Sequence, residues 1–158
     1  MANIDALLVL DGIKGEAEDN ILKNAIEVTA FDWGGSAAGA DSPTAGRVRL
    51  GDVTISKNVD LASTGLWMAM LNHKSINSAA FYFRRAGGTG GSGQMVYLKV
   101  TLSDVYVVGV RWDTEEENPG LAREKVTFNF SSVDAEYTQQ NDVGTNQSTS
   151  SFSYKIPR

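Results

Sequence analysis

The sequence predicts a mainly β fold: a closed or nearly closed antiparallel β-barrel with one α-helix packed outside it. Three observations carry this. Apolar residues recur at every second position through most of the chain, the period of a strand with one buried face. Only one stretch has helical spacing. Three of the longer alternating runs change parity midway, and a strand whose core-facing side chains switch parity holds a bulge or a sharp bend there. Such bends let a sheet curl toward closure.

Ile4 to Leu10 reads as a short apolar strand, followed by turn signals at Asp11-Gly12 and Lys14-Gly15. Glu16 to Asn24 is polar and irregular. Ile26 to Trp33 is a second strand, with Ile26, Val28 and Ala30 on one parity and Phe31 and Trp33 on the other. Large apolar Phe31 and Trp33 mark the core face there. Alternation then turns Ala30 and Asp32 to the opposite side. Gly34 to Gly46 is long, small and without period, the pattern of a functional or disordered loop.

Arg47 to Val59 is a third strand, its parity changing at Gly51-Asp52. The helix starts at Ser63, a good N-cap, and places Leu66, Trp67, Met70 and Leu71 on one face as core packing. Asn72 ends it in a left-handed conformation. Ile76 to Arg85, Met95 to Arg111 and Glu124 to Thr138 are strands, the last two switching parity at Ser103-Asp104 and Ser131-Ser132. Phe152, Tyr154 and Ile156 belong to a short final strand. Residues 1–158 make a single domain, an ordinary size for one hydrophobic core.

Composition excludes several function classes. The chain carries 14 Lys and Arg against 19 Asp and Glu, a net charge of −5, so a polyanion such as nucleic acid is not its expected partner. Cysteine is absent, which removes disulfides, thiolate metal sites and cysteine nucleophiles. A single histidine, His73, rules out a multi-histidine metal centre. No apolar run approaches the roughly 18–20 residues of a membrane-spanning helix, so no membrane insertion is expected. Met1-Ala2-Asn3-Ile4-Asp5 lacks the basic-then-apolar order of a secretory signal, so synthesis in the cytoplasm without a signal peptide is expected.

Candidate chemistry reduces to a few motifs. Gly88-Thr89-Gly90-Gly91-Ser92-Gly93 matches G-x-G-x-x-G, but a strand rather than a helix follows, and Gln94 stands where a phosphate-binding lysine would. It reads as a hairpin loop. The run Asp113 to Glu117 lacks the alternating ligands and central glycine of a calcium loop and reads as a solvated surface. His73 beside Lys74 has no second histidine or cysteine to share a metal and reads as structural. No catalytic residue, metal or cofactor is expected, which favours a binding or assembly role.

The ordered motifs resemble those of the hemolysin-coregulated protein (Hcp) family, the inner-tube subunits of the bacterial type VI secretion system. Gly12-Ile13-Lys14-Gly15-Glu16 with Asp19 resembles its opening motif, and Ile26-Glu27-Val28 with Phe31-Asp32-Trp33-Gly34 its second strand. Ile55-Ser56-Lys57, Val59-Asp60, Ser63 and Leu66 resemble its passage from strand to helix. Arg84-Arg85-Ala86-Gly87-Gly88 resembles its hairpin, Tyr97-Leu98 with Thr101-Leu102 its long strand, and Glu124 to Phe130 with Tyr137 and Gln140 its penultimate strand. The chain departs at Thr64-Gly65, where the family has a proline, after the helix at Asn72 to Ile76, and in a late loop whose glycines are reduced to Gly144.

The resemblance implies a protomer that forms a homohexameric ring, with rings stacking into a tube. It implies spike, sheath and baseplate proteins as partners, effector proteins carried in the lumen, and export to the extracellular space or a target cell. Ser36, Ala37, Ala38, Asp41, Ser42, Pro43 and Thr44 become the candidate ring-stacking loop, and Ala30 and Asp32 the candidate lumen residues. Toxin domains in the family are C-terminal extensions, and with Arg158 right after the last strand no enzymatic extension is expected. Two alternatives stay open: a tail-tube protein of a phage-like contractile injection particle, and a monomeric β-barrel binding sugars or lipids at its mouth.

Overall fold

Residues 4–39, 47–86, 94–117, 120–139 and 148–157 are described in the computed structural model of the chain. Alternating apolar segments form β1 (Asp5–Leu10), β2 (Ile26–Val28), β3 (Ala30–Asp32), β4 (Gly35–Ala37), β5 (Val48–Leu50) and β6 (Val53–Asn58). Helix α1 (Ser63–Leu71) follows, then β7 (Ile76–Ala86), β8 (Gln94–Thr114), β9 (Ala122–Asn129), β10 (Ser132–Thr138) and β11 (Thr149–Lys155). Every ladder between them is antiparallel.

Strand β8 organises the molecule because it belongs to two layers. Residues 94–105 pair with β7 and residues 98–103 with β10, giving a layer ordered β2-β1-β7-β8-β10-β11. Residues 106–114 pair with β9, giving a second layer ordered β8-β9-β6-β3. The corner falls at Asp104, whose φ of 53° lies in the left-handed region. This is the bend behind the parity switch: Leu102 and Val105 are both buried, three residues apart.

The two layers enclose one core, with Leu8, Phe81 and Leu102 from the first and Ile55, Val126 and Phe128 from the second, all buried. Phe31 meets Phe81 and Phe83 edge-on, both at 5.0 Å between ring centres. Trp33 reaches Phe130 at 6.1 Å. Each large side chain so buried contributes about 1.5–3 kcal/mol before entropy is counted.

The mainly β architecture with one helix is as the sequence predicts, but the sheet is not closed. The hydrogen-bonded path runs β2-β1-β7-β8-β9-β6-β3 and ends at β2 and β3. Those ends are consecutive in the chain. Thr29 turns one into the other, with its N–H bonded to the Ser56 carbonyl at 2.8 Å, so a covalent corner stands where closure would need a ladder. The expected single strand Ile26 to Trp33 is therefore two. Likewise Arg47 to Val59 divides at Gly51-Asp52 into β5 and β6, and Glu124 to Thr138 divides at Phe130-Ser131 into β9 and β10. At each place the parity switch is a layer change or strand end, stronger than a bulge.

Three helix details also differ. Ser63 does not cap α1. It is the first helical residue; the N-cap position is Ala62, with no side-chain cap bond, and in the turn before it Asp60 Oδ1 accepts from the Ala62 N–H at 2.9 Å while Ser63 Oγ accepts from the Asp60 N–H. Asn72 is not left-handed; its φ is −93° and His73, at 49°, takes that position. The Lys74 N–H then bonds the Ala69 carbonyl and the His73 N–H the Met70 carbonyl, the paired bonds of a Schellman ending. Leu71 is not core: it faces solvent, and Ala69 packs inward with Leu66 instead.

Candidate assembly surfaces

The stretch after Trp33 was expected to be without structure, yet its described part is half of a hairpin. Gly35–Ala37 pairs with Val48–Leu50, and the Ala38 N–H adds a bond to the Arg47 carbonyl at 3.0 Å. Gly51 anchors the base. Its N–H bonds the Gly34 carbonyl at 2.8 Å, and its own carbonyl accepts from Trp33 Nε1 at 3.0 Å. Gly35 lets the two strands approach closely, since a Cβ there would lie 3.1 Å from the Arg49 carbonyl oxygen and would displace the end of the Leu50 side chain. Among the described residues this arm joins no other sheet. Of the candidate stacking residues, Ser36 and Ala37 are exposed and Ala38 half-buried; Asp41, Ser42, Pro43 and Thr44 lie outside the described residues.

Ala30 and Asp32 are exposed on either side of half-buried Phe31, so alternation assigns the faces of β3 as the sequence implies. Their partners across the ladder are Ser56 and Thr54 on β6.

Beneath this face lies a polar network that sequence reasoning missed. Lys57 and Glu124 are buried, and Lys57 Nζ donates to Glu124 Oε1 at 2.7 Å, Asp60 Oδ1 at 2.8 Å and the Asn58 carbonyl at 2.9 Å. Ser63 Oγ lies 3.2 Å from Nζ and 3.1 Å from Glu124 Oε1, while Glu124 Oε2 accepts from Trp112 Nε1. The group fastens β6, β9 and β8 to the start of α1. Its one sequence signal is parity: Lys57 continues the inward series Val53, Ile55, and Glu124 precedes Val126, Phe128. It is a clamp in which every charge is partnered.

A second ionic group holds the segment between β1 and β2. Arg84 pairs with Asp5 at 2.9 Å and Asp19 at 2.5 Å. Asp19 also accepts from the Leu22 and Ile21 N–H groups, and these bonds with Arg84 lower its carboxyl to about 2.

The remaining motifs fall into structural roles. His73 ends α1 and stacks on Tyr106 with 4.7 Å between rings. Arg123 neutralises part of the acidic run through Asp113 at 3.2 Å and Glu115 at 2.5 Å. The glycine-rich segment 87–93 lies outside the described residues, but the strands on either side pair antiparallel up to Ala86 opposite Gln94, and β8 rather than a helix follows it. Among the described residues no three His, Asp or Glu side chains gather as metal ligands, and no helix is long and apolar enough to cross a membrane.

Known proteins share this pattern. The model of the family described as type VI secretion system effector, Hcp, matches residues 7–137. Protein hcp1 of Pseudomonas aeruginosa is 31% identical over 145 residues, covering 89% of this chain and 87% of that protein. The crystal structure of Hcp1 from Salmonella typhimurium superposes with a TM-score of 0.80 at 27% identity, over 98% of this chain and 95% of the other. A type VI secretion system effector from Yersinia pestis shares the fold, with a TM-score of 0.77 at 24% identity over 96% of this chain and 100% of that one. With these matches along nearly its whole length, the chain belongs to the Hcp family, the structural tube proteins of type VI secretion.

Proposed function

We propose that six copies of this chain close into a ring and that rings stack into the inner tube of a type VI secretion machine. The observation that carries this reading is the β4–β5 arm, which pairs with no other strand among the described residues. A two-stranded ribbon is marginal by itself and its free edges invite pairing, so a partner that covers it stabilises it. An adjacent ring is that partner, reached by Ser36, Ala37 and Ala38 and by the continuing segment with Asp41, Ser42, Pro43 and Thr44. Heterologous contacts close the ring, and axial repetition of rings gives an open-ended tube.

In this reading Ala30 and Asp32 line the lumen. Six copies of Asp32 form a ring of carboxylates that selects effector cargo by charge. The chain leaves the cell through the machine, with spike, sheath and baseplate proteins as its partners.

Deletion of residues 36–44 tests the arm. Rings are expected to survive, while stacking in electron micrographs and export into the medium fall. Unchanged export and stacking would refute the assignment.

A further inference from the structure

Helix α1 reads Ser63-Thr64-Gly65-Leu66-Trp67-Met68-Ala69-Met70-Leu71, without one charged residue. A helix with no charged face is ordinarily buried all round. Here one side is covered: Leu66 and Ala69 enter the core, and Ser63 joins the Lys57 clamp. The other is open. Met68 and Leu71, three residues apart on one face, are 55% and 67% exposed, and Leu61 at its N-terminal end is 68% exposed.

A second uncovered apolar face lies on the first layer. Register places Leu8, Phe81, Val100, Ala135 and Phe152 in one row across β1, β7, β8, β10 and β11. Residues directly opposite share a face, so all five point to the core side. Burial nevertheless runs out along the row: Leu8, Phe81, Val100 and Ala135 are buried, but Phe152 is 51% exposed. In the next row Ala6 and Phe83 are buried, while Tyr137 is 42% exposed. The core-facing side of β10–β11 thus overhangs the second layer, and among the described residues β11 pairs with β10 alone. On the second layer, Lys57, Glu124 and Trp112 form a row across β6, β9 and β8 that α1 covers with Ser63 and Trp67.

We infer that the open face of α1, formed by Leu61, Met68 and Leu71, packs in the ring against the uncovered side of β10–β11, at Tyr137 and Phe152, of the next copy of this chain. The inference rests on the ring-forming reading above. A closed ring needs two different, complementary surfaces on one chain. These two match in chemistry: α1 carries no charge, and the core-facing side of β10–β11 carries Val133, Ala135, Tyr137, Ser150, Phe152 and Tyr154. The contact does between subunits what α1 already does within one, laying an apolar helix over a sheet face.

The absence of native cysteine makes the test direct. A chain carrying both Met68→Cys and Phe152→Cys is treated with a short bis-maleimide and run on a denaturing gel. A ladder ending at the ring size is expected, with each single variant remaining monomeric on the gel, because the contact joins unlike positions. A companion variant, Met68→Glu, changes an exposed residue and keeps the circular-dichroism spectrum, yet is expected to shift the light-scattering mass from ring to protomer. Intact Met68→Glu rings, or single-cysteine dimers, would overturn this contact while leaving ring formation standing. A wild-type chain that is monomeric would instead overturn the ring reading, and this inference with it.

Discussion

Replacing Lys57 by methionine removes the centre of the buried clamp and leaves its ring of acceptors. Nζ lies 2.7 Å from Glu124 Oε1 and 2.8 Å from Asp60 Oδ1, and the Lys57 and Glu124 side chains have no solvent exposure. Both carboxylates bind the same ammonium, so its loss turns two attractions into one like-charge repulsion, with Glu124 fully buried and Asp60 nearly so. Removing one member of such a buried pair costs about 3–5 kcal/mol. Against a typical domain stability of about 5–15 kcal/mol, that is a large share of the total. Glu124→Leu alone strands Lys57 with Asp60 and deprives Trp112 Nε1 of its acceptor. The double variant removes both charges together. It is expected to cost only about 1–3 kcal/mol, for the unpartnered indole N–H and for Asp60, which loses its ammonium but keeps the Ala62 N–H and some contact with solvent.

The assay is urea unfolding at one fixed protein concentration, since assembly adds to apparent stability by mass action. The double-mutant cycle should show a coupling of several kcal/mol. Lys57→Met within about 1 kcal/mol of wild type, at unchanged m-value, would refute the reasoning.

Gly15→Ala should destabilise strongly, because a Cβ there meets the Ala25 carbonyl oxygen at 2.4 Å and backbone cannot step aside as a side chain can; a melting temperature equal to wild type would contradict this. Asp19, lowered from 3.8 to about 2 chiefly by the Leu22 N–H and Arg84, contributes stability that is complete above its ordinary value and is lost as pH falls through that range. The stability gap between wild type and Asp19→Asn should therefore narrow on acidification, and a gap constant from about pH 6 to pH 2 would exclude the linkage. Asp32→Arg should leave rings intact, since the residue is exposed, while altering retention of a co-expressed cargo protein; loss of the ring would place Asp32 at an interface between subunits.

Much of the fold is written in side-chain alternation. Phe31 and Trp33 mark the inner face of β3, and the parity switch at Ser103-Asp104 marks the corner where β8 changes layers. Alternation does not say what a switch becomes. The same signal stands for a left-handed corner at Asp104 in β8, a covalent turn at Thr29 and a break between β9 and β10, because each resets which side chains face inward. The clamp is hidden for a different reason: Lys57 and Glu124 read as solvated charges until β6 and β9 pair and place them opposite one another. The helix end also depends on one residue of register, with His73 rather than Asn72 taking the left-handed position. The uncharged sequence of α1 was visible throughout, but its open side shows only once Leu66 and Ala69 define the buried one.

The central claim is assembly into six-membered rings, and native mass spectrometry of the purified chain tests it most directly. The account predicts a dominant species of six times the 17.0 kDa protomer mass, persisting across micromolar concentrations. A protomer mass alone over that range would contradict it.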